Sequence, residues 1–163
     1  MQPATLLLFL AGVGVTTAQS LTDVLLAQNA SLSVFNTVWL KHPEAAKKLN
    51  NLSNVTFLAP NNDAMEKYLQ TLGYSSFDSL YTDKPGGVLS HVAYHLLRGV
   101  YYTSSFAATP GKPVFIATDL TVADDPAYDG VTGGQRVEGI FQGNNVSFIS
   151  GLGENSTVVT PVR

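Results

Sequence analysis

Two histidines, His91 and His95, are four residues apart in a segment with helical periodicity. Side chains at positions i and i+4 lie on the same face of a helix, where two imidazoles can hold a metal ion between them. Two ligands do not complete a metal site, and no HExxH pattern accompanies them. The alternative is structural, with His95 buried and hydrogen-bonded and His91 as its partly exposed neighbour. We therefore predict no metal site here and no cofactor.

Residue types that support catalysis are present, but their spacing nominates no site. Ser90 stands beside His91, yet adjacent residues of a helix do not face each other. The sequence has no Gly-x-Ser-x-Gly motif of the kind that presents a nucleophilic serine. Carboxylate pairs for glycoside hydrolysis remain open, although nothing singles out one pair. The sequence favours a protein that is not an enzyme, and an uncharacterised hydrolase is the least favoured alternative.

An acidic stretch raises the question of a calcium site, and its members are Asp119, Asp124, Asp125 and Asp129. Calcium loops alternate their oxygen ligands along the chain and place a glycine at a fixed turn. The spacing here does neither, which favours an ordinary solvated loop.

Cysteine content and charge exclude further classes of protein. The chain has no cysteine, so thiol catalysis and thiolate metal sites are excluded, and no disulfide stabilises the fold. The formal net charge is −3. The one basic cluster, Lys41, Lys47 and Lys48, has Glu44 among its members, so we predict no nucleic-acid partner.

The N-terminus resembles a secretory signal. Its apolar run from Leu6 to Val15 is too short to span a bilayer comfortably. The small residues Thr16-Thr17-Ala18 follow, which predicts cleavage before Gln19. We therefore predict that residues 1–18 are a signal peptide and that residues 19–163 form a single domain. No later apolar run approaches the length of a transmembrane segment.

Five sequences match the N-glycosylation acceptor pattern, which suits a secreted glycoprotein. Their asparagines are Asn29, Asn51, Asn54, Asn145 and Asn155. We expect two to four of them to carry a glycan, each at a surface position. Glycans on Asn51 and Asn54 together would be crowded, so we expect one of these two sites to dominate.

Helical patterns fill the first two thirds of the chain. Thr22 and Ser31 are candidate N-caps, and Leu32, Phe35, Val38 and Trp39 follow at helical spacing. After a short strand at Val55–Ala59, Asp63 and Glu66 match a capping box, and Gly73 ends that helix. Another helix is predicted from about Pro85 to Leu97, with Gly99 as its C-terminal cap.

Short extended segments follow, at 100–102, 114–117, 135–142, 146–149 and 157–160. Gly143-Asn144-Asn145 between two of them predicts a hairpin turn. Helices first and strands afterwards indicate an α+β fold, in which helices pack on a sandwich or wedge of short strands.

Two of these segments resemble the signatures of the fasciclin family of adhesion domains. NVTFLAPNNDAM, residues 54–65, resembles the family's first signature, a buried strand that turns into a helix. HVAYHLLRGVYY, residues 91–102, resembles the helix that carries its Tyr-His pair, here Tyr94 and His95. The resemblance covers about residues 20–160, and the segment 131–160 resembles the later hairpin of secreted fungal members. It departs at the C-terminal end, where the family's Gly-Val-Ile-His-Val-Ile-Asp-like closing strand is missing, so we expect an incomplete sheet.

The resemblance implies a non-catalytic adhesion module at the cell surface, in the extracellular matrix or in a cell wall. It implies that Tyr94 and His95 form or support the binding surface, with a cell-surface or matrix protein, a polysaccharide or a second copy as partner. A polysaccharide-binding wall module is the alternative. Exposed aromatic side chains would then serve as a stacking surface, and the candidates are Tyr74, Phe77, Tyr81, Tyr101 and Tyr102.

Overall fold

The computed structural model describes residues 4–10, 20–84, 87–121 and 134–162, and for 4–10 and 160–162 it describes the path of the chain alone. Several predictions fall outside these residues: the cleavage site before Gln19, the helix start at Pro85, and the aspartates Asp124, Asp125 and Asp129.

Helices and strands follow one another in an α+β order, as the sequence predicts. The helices are α1 Leu21–Ala27, α2 Asn29–Leu40, α3 Pro43–Asn50, α4 Asn62–Leu72, α5 Phe77–Asp83, α6 Gly87–His95 and α7 Thr103–Ala107. The strands are β1 Ala4–Leu10, β2 Val55–Pro60, β3 Leu96–Arg98, β4 Val114–Ala117, β5 Arg136–Gln142, β6 Asn145–Ile149 and β7 Asn155–Val162.

The described strands form one sheet in the order β3-β2-β1-β7-β6-β5-β4. All neighbouring strands are antiparallel except β1 and β7, which run parallel. An isolated bridge between Leu97 and Thr118 joins the two outer ends of this order, so the sheet closes on itself. Strand β1 lies between β2 and β7 and pairs with both.

Strand β2 separates two hydrophobic cores, because successive residues of a strand point to opposite faces. Phe57 and Ala59 belong to a helix-side core with Phe35 and Trp39. On the other face, Leu58 belongs to a sheet-side core built mainly from strand residues, with Leu97, Phe106, Ile116, Val137, Val146, Phe148 and Val158. Burying a large apolar side chain stabilises a fold by about 1.5–3 kcal/mol. Side chains on both faces of β2 are therefore buried, those of one face in the helix-side core and those of the other in the sheet-side core.

The observed N-caps differ from three predicted ones. Ser20, not Thr22, caps α1 in a capping box with Asp23, and α2 begins at Asn29, upstream of Ser31. Asn61, not Asp63, caps α4 by accepting a hydrogen bond from the Ala64 amide at 2.9 Å. The side chain that directly follows β2 makes the cap because α4 begins immediately after the strand. Gly73 ends α4 as predicted, with a φ of +75°.

The predicted helix through Leu97 is wrong at its C-terminal end. Helix α6 stops at His95, and Leu96–Arg98 forms β3, which pairs with Phe57, Thr56 and Val55 of β2. Backbone pairing with a buried strand outweighs local helical periodicity here. Gly99 consequently follows a strand, where its φ of +113° favours glycine. The predicted strand at 100–102 is absent from the described strands, and the short helices α5 and α7 were not predicted.

Candidate functional site

Tyr94 and His95 are the last two residues of α6, where this helix passes into β3. The Nδ1 atom of His95 lies 2.6 Å from the carbonyl oxygen of Leu58. A carbonyl oxygen only accepts hydrogen bonds, so Nδ1 donates and carries the ring proton. This bond joins α6 to the middle of β2, and the ring of Phe57 lies edge-on to His95 with centroids 6.5 Å apart.

His91 lies one helical turn before His95, and the two rings stack. Their centroids are 4.8 Å apart with an interplanar angle of 20°. Tyr68 of α4 meets the His91 ring edge-on at 5.2 Å. The Nε2 atom of His91 is buried and has no hydrogen-bond partner among the described residues. The α6 histidines therefore form a stacked pair that contacts α4 through Tyr68.

Burial keeps both imidazoles neutral. Loss of solvent lowers the pKa of His91 from 6.5 to about 3, and the neighbouring His95 lowers it further. Burial also lowers the pKa of His95, to about 4, while its bond to Leu58 acts in the opposite direction. Neutral, stacked rings at physiological pH are typical of a structural pair.

Tyr94 points to a different partner. Its hydroxyl is hydrogen-bonded to the side chain of Ser150 and to the backbone of Gly151, and burial raises the pKa of this hydroxyl. Ser150 and Gly151 lie in the connection between β6 and β7. Tyr94 therefore links the end of α6 to this connection. Its ring also meets that of His95 edge-on, with centroids 6.0 Å apart.

The connection itself is a hydrogen-bonded turn, Ser150–Glu154, called the Leu152 turn below. The Ser150 hydroxyl oxygen accepts from the amides of Leu152 and Glu154, each at 3.2 Å. The Ser150 amide donates to the Glu154 carbonyl, and the Gly153 amide donates to the Ser150 carbonyl, both at 2.9 Å. Leu152 is 93% exposed. An apolar side chain thus stands in solvent on a backbone that is already ordered.

The other residues that the sequence singled out for metal binding or catalysis are described in part. No group of three or more metal-ligating side chains occurs within the described part of the chain. Ser90 is buried. Of the predicted acidic stretch, Asp119 is described, and it forms ion pairs with Lys48 at 2.8 Å and Arg98 at 3.5 Å. These contacts connect α3, β3 and the end of β4.

The five sequon asparagines are all exposed: Asn29, Asn51, Asn54, Asn145 and Asn155. Asn54 precedes β2 and has a φ of +54°, the one positive φ outside glycine among the described residues. Its side chain is in solvent, whereas Phe57 and Leu58 further along the strand are buried. A sugar at Asn54 is therefore compatible with a strand whose interior residues lie in the two cores.

The predicted aromatic platform does not form as a unit. Phe77 is buried, and Tyr74 and Tyr81 pack against the helix-side core, with the rings of Phe77 and Tyr81 stacked at 6.0 Å. Tyr101 packs against the sheet-side core. Tyr102 is 40% exposed and stands apart as the accessible ring of this group.

The decisive comparison is with known protein families. A family model described as the fasciclin domain matches residues 30–159. This chain belongs to the fasciclin family. Its sequence is also 29% identical over 148 residues to a fasciclin-like arabinogalactan protein of Arthroderma benhamiae. That match covers 90% of this chain and 33% of the relative, so the chain spans about a third of the length of the relative.

Membership of the fasciclin family confirms the α+β fold inferred from the two signature segments. Fasciclin domains are modules of the extracellular adhesion type that mediate interactions and are generally non-catalytic. None of the helices in the described ranges is long and apolar enough to cross a membrane.

Sequence analysis singled out Tyr94 and His95 as candidates but did not predict the residues that they contact. Leu58, Ser150 and Gly151 are remote along the chain, so no spacing rule connects them to the pair. The local signal for the Leu152 turn was the Ser-Gly-Leu-Gly sequence between two predicted strands, in which a lone leucine lies between glycines.

Proposed function

We propose that this fasciclin domain is a secreted, N-glycosylated adhesion module that acts by contact and without catalysis. Residues 1–18 direct export and are removed, and the mature domain acts at the cell surface, in the matrix or in a cell wall. The exposed sequon asparagines and membership of the fasciclin family, whose modules are of the extracellular adhesion type, support this location.

One observation carries the proposal for the contact surface. The functional groups of Tyr94 and His95 are engaged inside the domain, with the Leu152 turn and with β2. We infer that the pair supports the surface and that the Leu152 turn presents it. A preordered turn loses little conformational entropy on binding, and an exposed apolar side chain is a natural anchor for a pocket on a partner.

The experiment is an adhesion measurement with the secreted glycoprotein. Beads coated with the protein are tested for attachment to fungal cell surfaces and to one another, with glycosylated albumin as the control coating. Attachment above the control supports adhesion, and attachment between beads supports self-association. Background attachment in both tests would contradict the proposal.

The alternative function is binding of a wall polysaccharide, and Tyr102 is the observation that favours it. An exposed aromatic ring can stack on a sugar. A glycan array separates the two proposals, because adhesion through a protein receptor predicts no specific glycan signal. A saturable signal that Tyr102→Ala abolishes would favour the polysaccharide.

Catalysis is tested directly, with generic ester and glycoside substrates. We expect no turnover. Turnover that is lost in a folded His95→Ala variant would instead identify a hydrolase.

A further inference from the structure

The five sequons differ in what folding does to their hydroxyl residue, the serine or threonine two positions after the asparagine. The enzyme that attaches N-glycans recognises this hydroxyl as well as the asparagine, because its acceptor pattern is Asn-x-Ser or Asn-x-Thr. All five asparagines are exposed, so their own exposure does not distinguish the sites. The accessibility of the hydroxyl does.

Folding buries the hydroxyl of the Asn54 sequon. Thr56 is 0% exposed. Its hydroxyl donates to the carbonyl oxygen of Gly99 at 3.0 Å and accepts from the amide of Tyr101 at 2.9 Å. Its position in β2 is also paired with Leu97 of β3. An enzyme that binds the Thr56 hydroxyl would therefore have to open the edge between β2 and β3 and break both hydrogen bonds.

The Asn29 sequon is held inside a helix. Ser31 is half-buried in the first turn of α2, and its hydroxyl donates to the carbonyl oxygen of Gln28 at 3.3 Å. The side-chain oxygen of Asn29 itself accepts from the buried side chain of Asn36 at 3.1 Å. Presentation of this sequon in an extended form requires the start of α2 to unfold.

The Asn145 and Asn155 sequons are held in neighbouring strands. Their hydroxyl residues, Ser147 of β6 and Thr157 of β7, are opposite each other in the antiparallel pair. The two hydroxyls are hydrogen-bonded to each other at 3.2 Å. Binding of either hydroxyl by an enzyme therefore requires β6 and β7 to separate locally.

The Asn51 sequon differs from the other four. Asn51 and Ser53 are both exposed, and they lie in the short loop between α3 and β2. Leu52 between them is partly buried against the helix-side core. Neither Leu52 nor Ser53 belongs to a helix or a strand, so access to this sequon needs the displacement of one side chain and leaves the sheet intact.

We propose that Asn51 is the sequon that remains accessible to the glycosylating enzyme after folding, whereas Asn54 is modified only before the domain folds. This inference rests on the N-glycosylation proposed above. In the transfer, the Nδ2 atom of asparagine forms a bond to the anomeric carbon of a lipid-linked oligosaccharide and loses one proton. The bond from that carbon to the lipid diphosphate breaks, and the lipid diphosphate leaves.

The order of folding and transfer then decides which of the two crowded sites carries the glycan. An enzyme that reaches the chain early can modify Asn54, and the fold accepts the sugar there because the Asn54 side chain is exposed. A chain that folds first has buried Thr56 and leaves Asn51 as the acceptor. The ratio of the two glycoforms therefore records whether the domain folded before or after the enzyme reached it.

The test measures transfer rates with a purified oligosaccharyltransferase and a lipid-linked oligosaccharide. The acceptors are the full chain made without glycans and two variants that each keep one of the crowded sites. Ser53→Ala keeps Asn54, whereas Asn54→Gly keeps Asn51 and suits the φ of +54° at the substituted position. Fluorescence of the buried Trp39 reports that each acceptor is folded. The unfolded reference is Phe35→Asp, which places a charge in the helix-side core and retains all five sequons.

Peptide mass spectrometry gives the initial rate at each site. In the folded acceptors, transfer to Asn51 of Asn54→Gly should be at least about 100-fold faster than transfer to Asn54 of Ser53→Ala, because the second reaction waits for the opening of β2. The gap between the two sites should largely vanish in Phe35→Asp. Equal rates at the two sites of the folded acceptors would overturn the inference and leave the proposed N-glycosylation standing.

A second measurement applies to a chain that does not fold without glycans. In secreting cells, the ratio of Asn54 to Asn51 occupancy should be higher in the Phe35→Asp chain than in the parent, because the variant never buries Thr56. The same ratio in both chains would contradict the inference alone. A secreted protein that carries no glycan would contradict the proposed N-glycosylation and, with it, this inference.

Discussion

The Nδ1 atom of His95 donates a hydrogen bond to the carbonyl oxygen of Leu58 over 2.6 Å. This bond fixes the end of α6 to the strand that separates the two cores. Tyr94, the preceding residue, holds the Leu152 turn from the same helix end. One dipeptide thus positions both the interior of the domain and the surface that we propose for adhesion.

The His95→Ala variant tests the interior role. Loss of the hydrogen bond leaves the buried Leu58 carbonyl without this donor, so the free energy of unfolding should fall by about 1–3 kcal/mol. Urea denaturation followed by Trp39 fluorescence measures it. His42→Ala is the control, since the part-exposed His42 ring contacts Glu44 at 3.3 Å and meets the Tyr81 ring edge-on at 5.9 Å. An unchanged unfolding midpoint in His95→Ala would exclude the structural role.

Acid should destabilise the domain through the stacked histidines. The folded-state pKa values of His91 and His95, about 3 and about 4, lie below the ordinary 6.5, so the unfolded chain binds protons first as the pH falls. Stability is therefore fully present above about pH 6.5 and declines towards pH 4, by up to about 1.4 kcal/mol per pH unit for each histidine.

Unfolding free energies between pH 4 and 7.5 measure this decline. The His91→Phe variant keeps an aromatic ring in the stack but removes one titrating group, so its profile should be flatter than that of the parent. Parallel profiles for the two proteins would show that His91 titrates normally in the folded state.

Tyr94→Phe should loosen the Leu152 turn with little effect elsewhere. It removes the hydroxyl that bonds Ser150 and Gly151, and such hydrogen bonds contribute about 0.5–1.5 kcal/mol. Hydrogen exchange should accelerate for the amides of residues 150–154. Tyr102→Phe is the matched control, because Tyr102 is 40% exposed. Equal exchange in the turn of both variants would contradict the support that we assign to Tyr94.

Glycan occupancy follows from exposure and crowding. All five sequon asparagines are exposed, and we expect two to four to carry a glycan. Asn51 and Asn54 are three residues apart, so one of them should dominate. Intact mass before and after enzymatic deglycosylation, with site mapping by peptide mass spectrometry, measures this. Full occupancy of both sites on the same molecule would contradict the crowding argument.

Local sequence signals predicted the parts of the fold that local forces decide. The strand at 55–60 and the following helix have their own apolar periods, and Gly73 adopts the left-handed conformation that ends the helix. Leu96–Arg98 was mispredicted because its structure depends on pairing with β2. Leu97, for example, pairs with Thr56, which lies 41 positions earlier in the chain.

In the candidate site, too, local sequence signals were predictive and tertiary contacts were not predicted. The Tyr-His pair was singled out as a candidate because these two adjacent residues belong to a segment that resembles a family signature. Its contacts with Leu58 and Ser150 were not found, since tertiary packing creates them. The apolar run at the N-terminus indicates a secretory signal by its composition, and composition alone does not reveal that Ala4–Leu10 also fits between two strands.

The most direct test of the adhesion proposal is attachment of beads coated with Leu152→Asp, compared with the parent and with Leu26→Asp. Leu26 is an exposed leucine on α1, at 41%, and controls for the general effect of the added charge. We expect Leu152→Asp to weaken binding about 30-fold, the equivalent of a hot spot of about 2 kcal/mol. Leu26→Asp should bind like the parent. Equal attachment of both variants would contradict the assignment of the Leu152 turn as the contact surface.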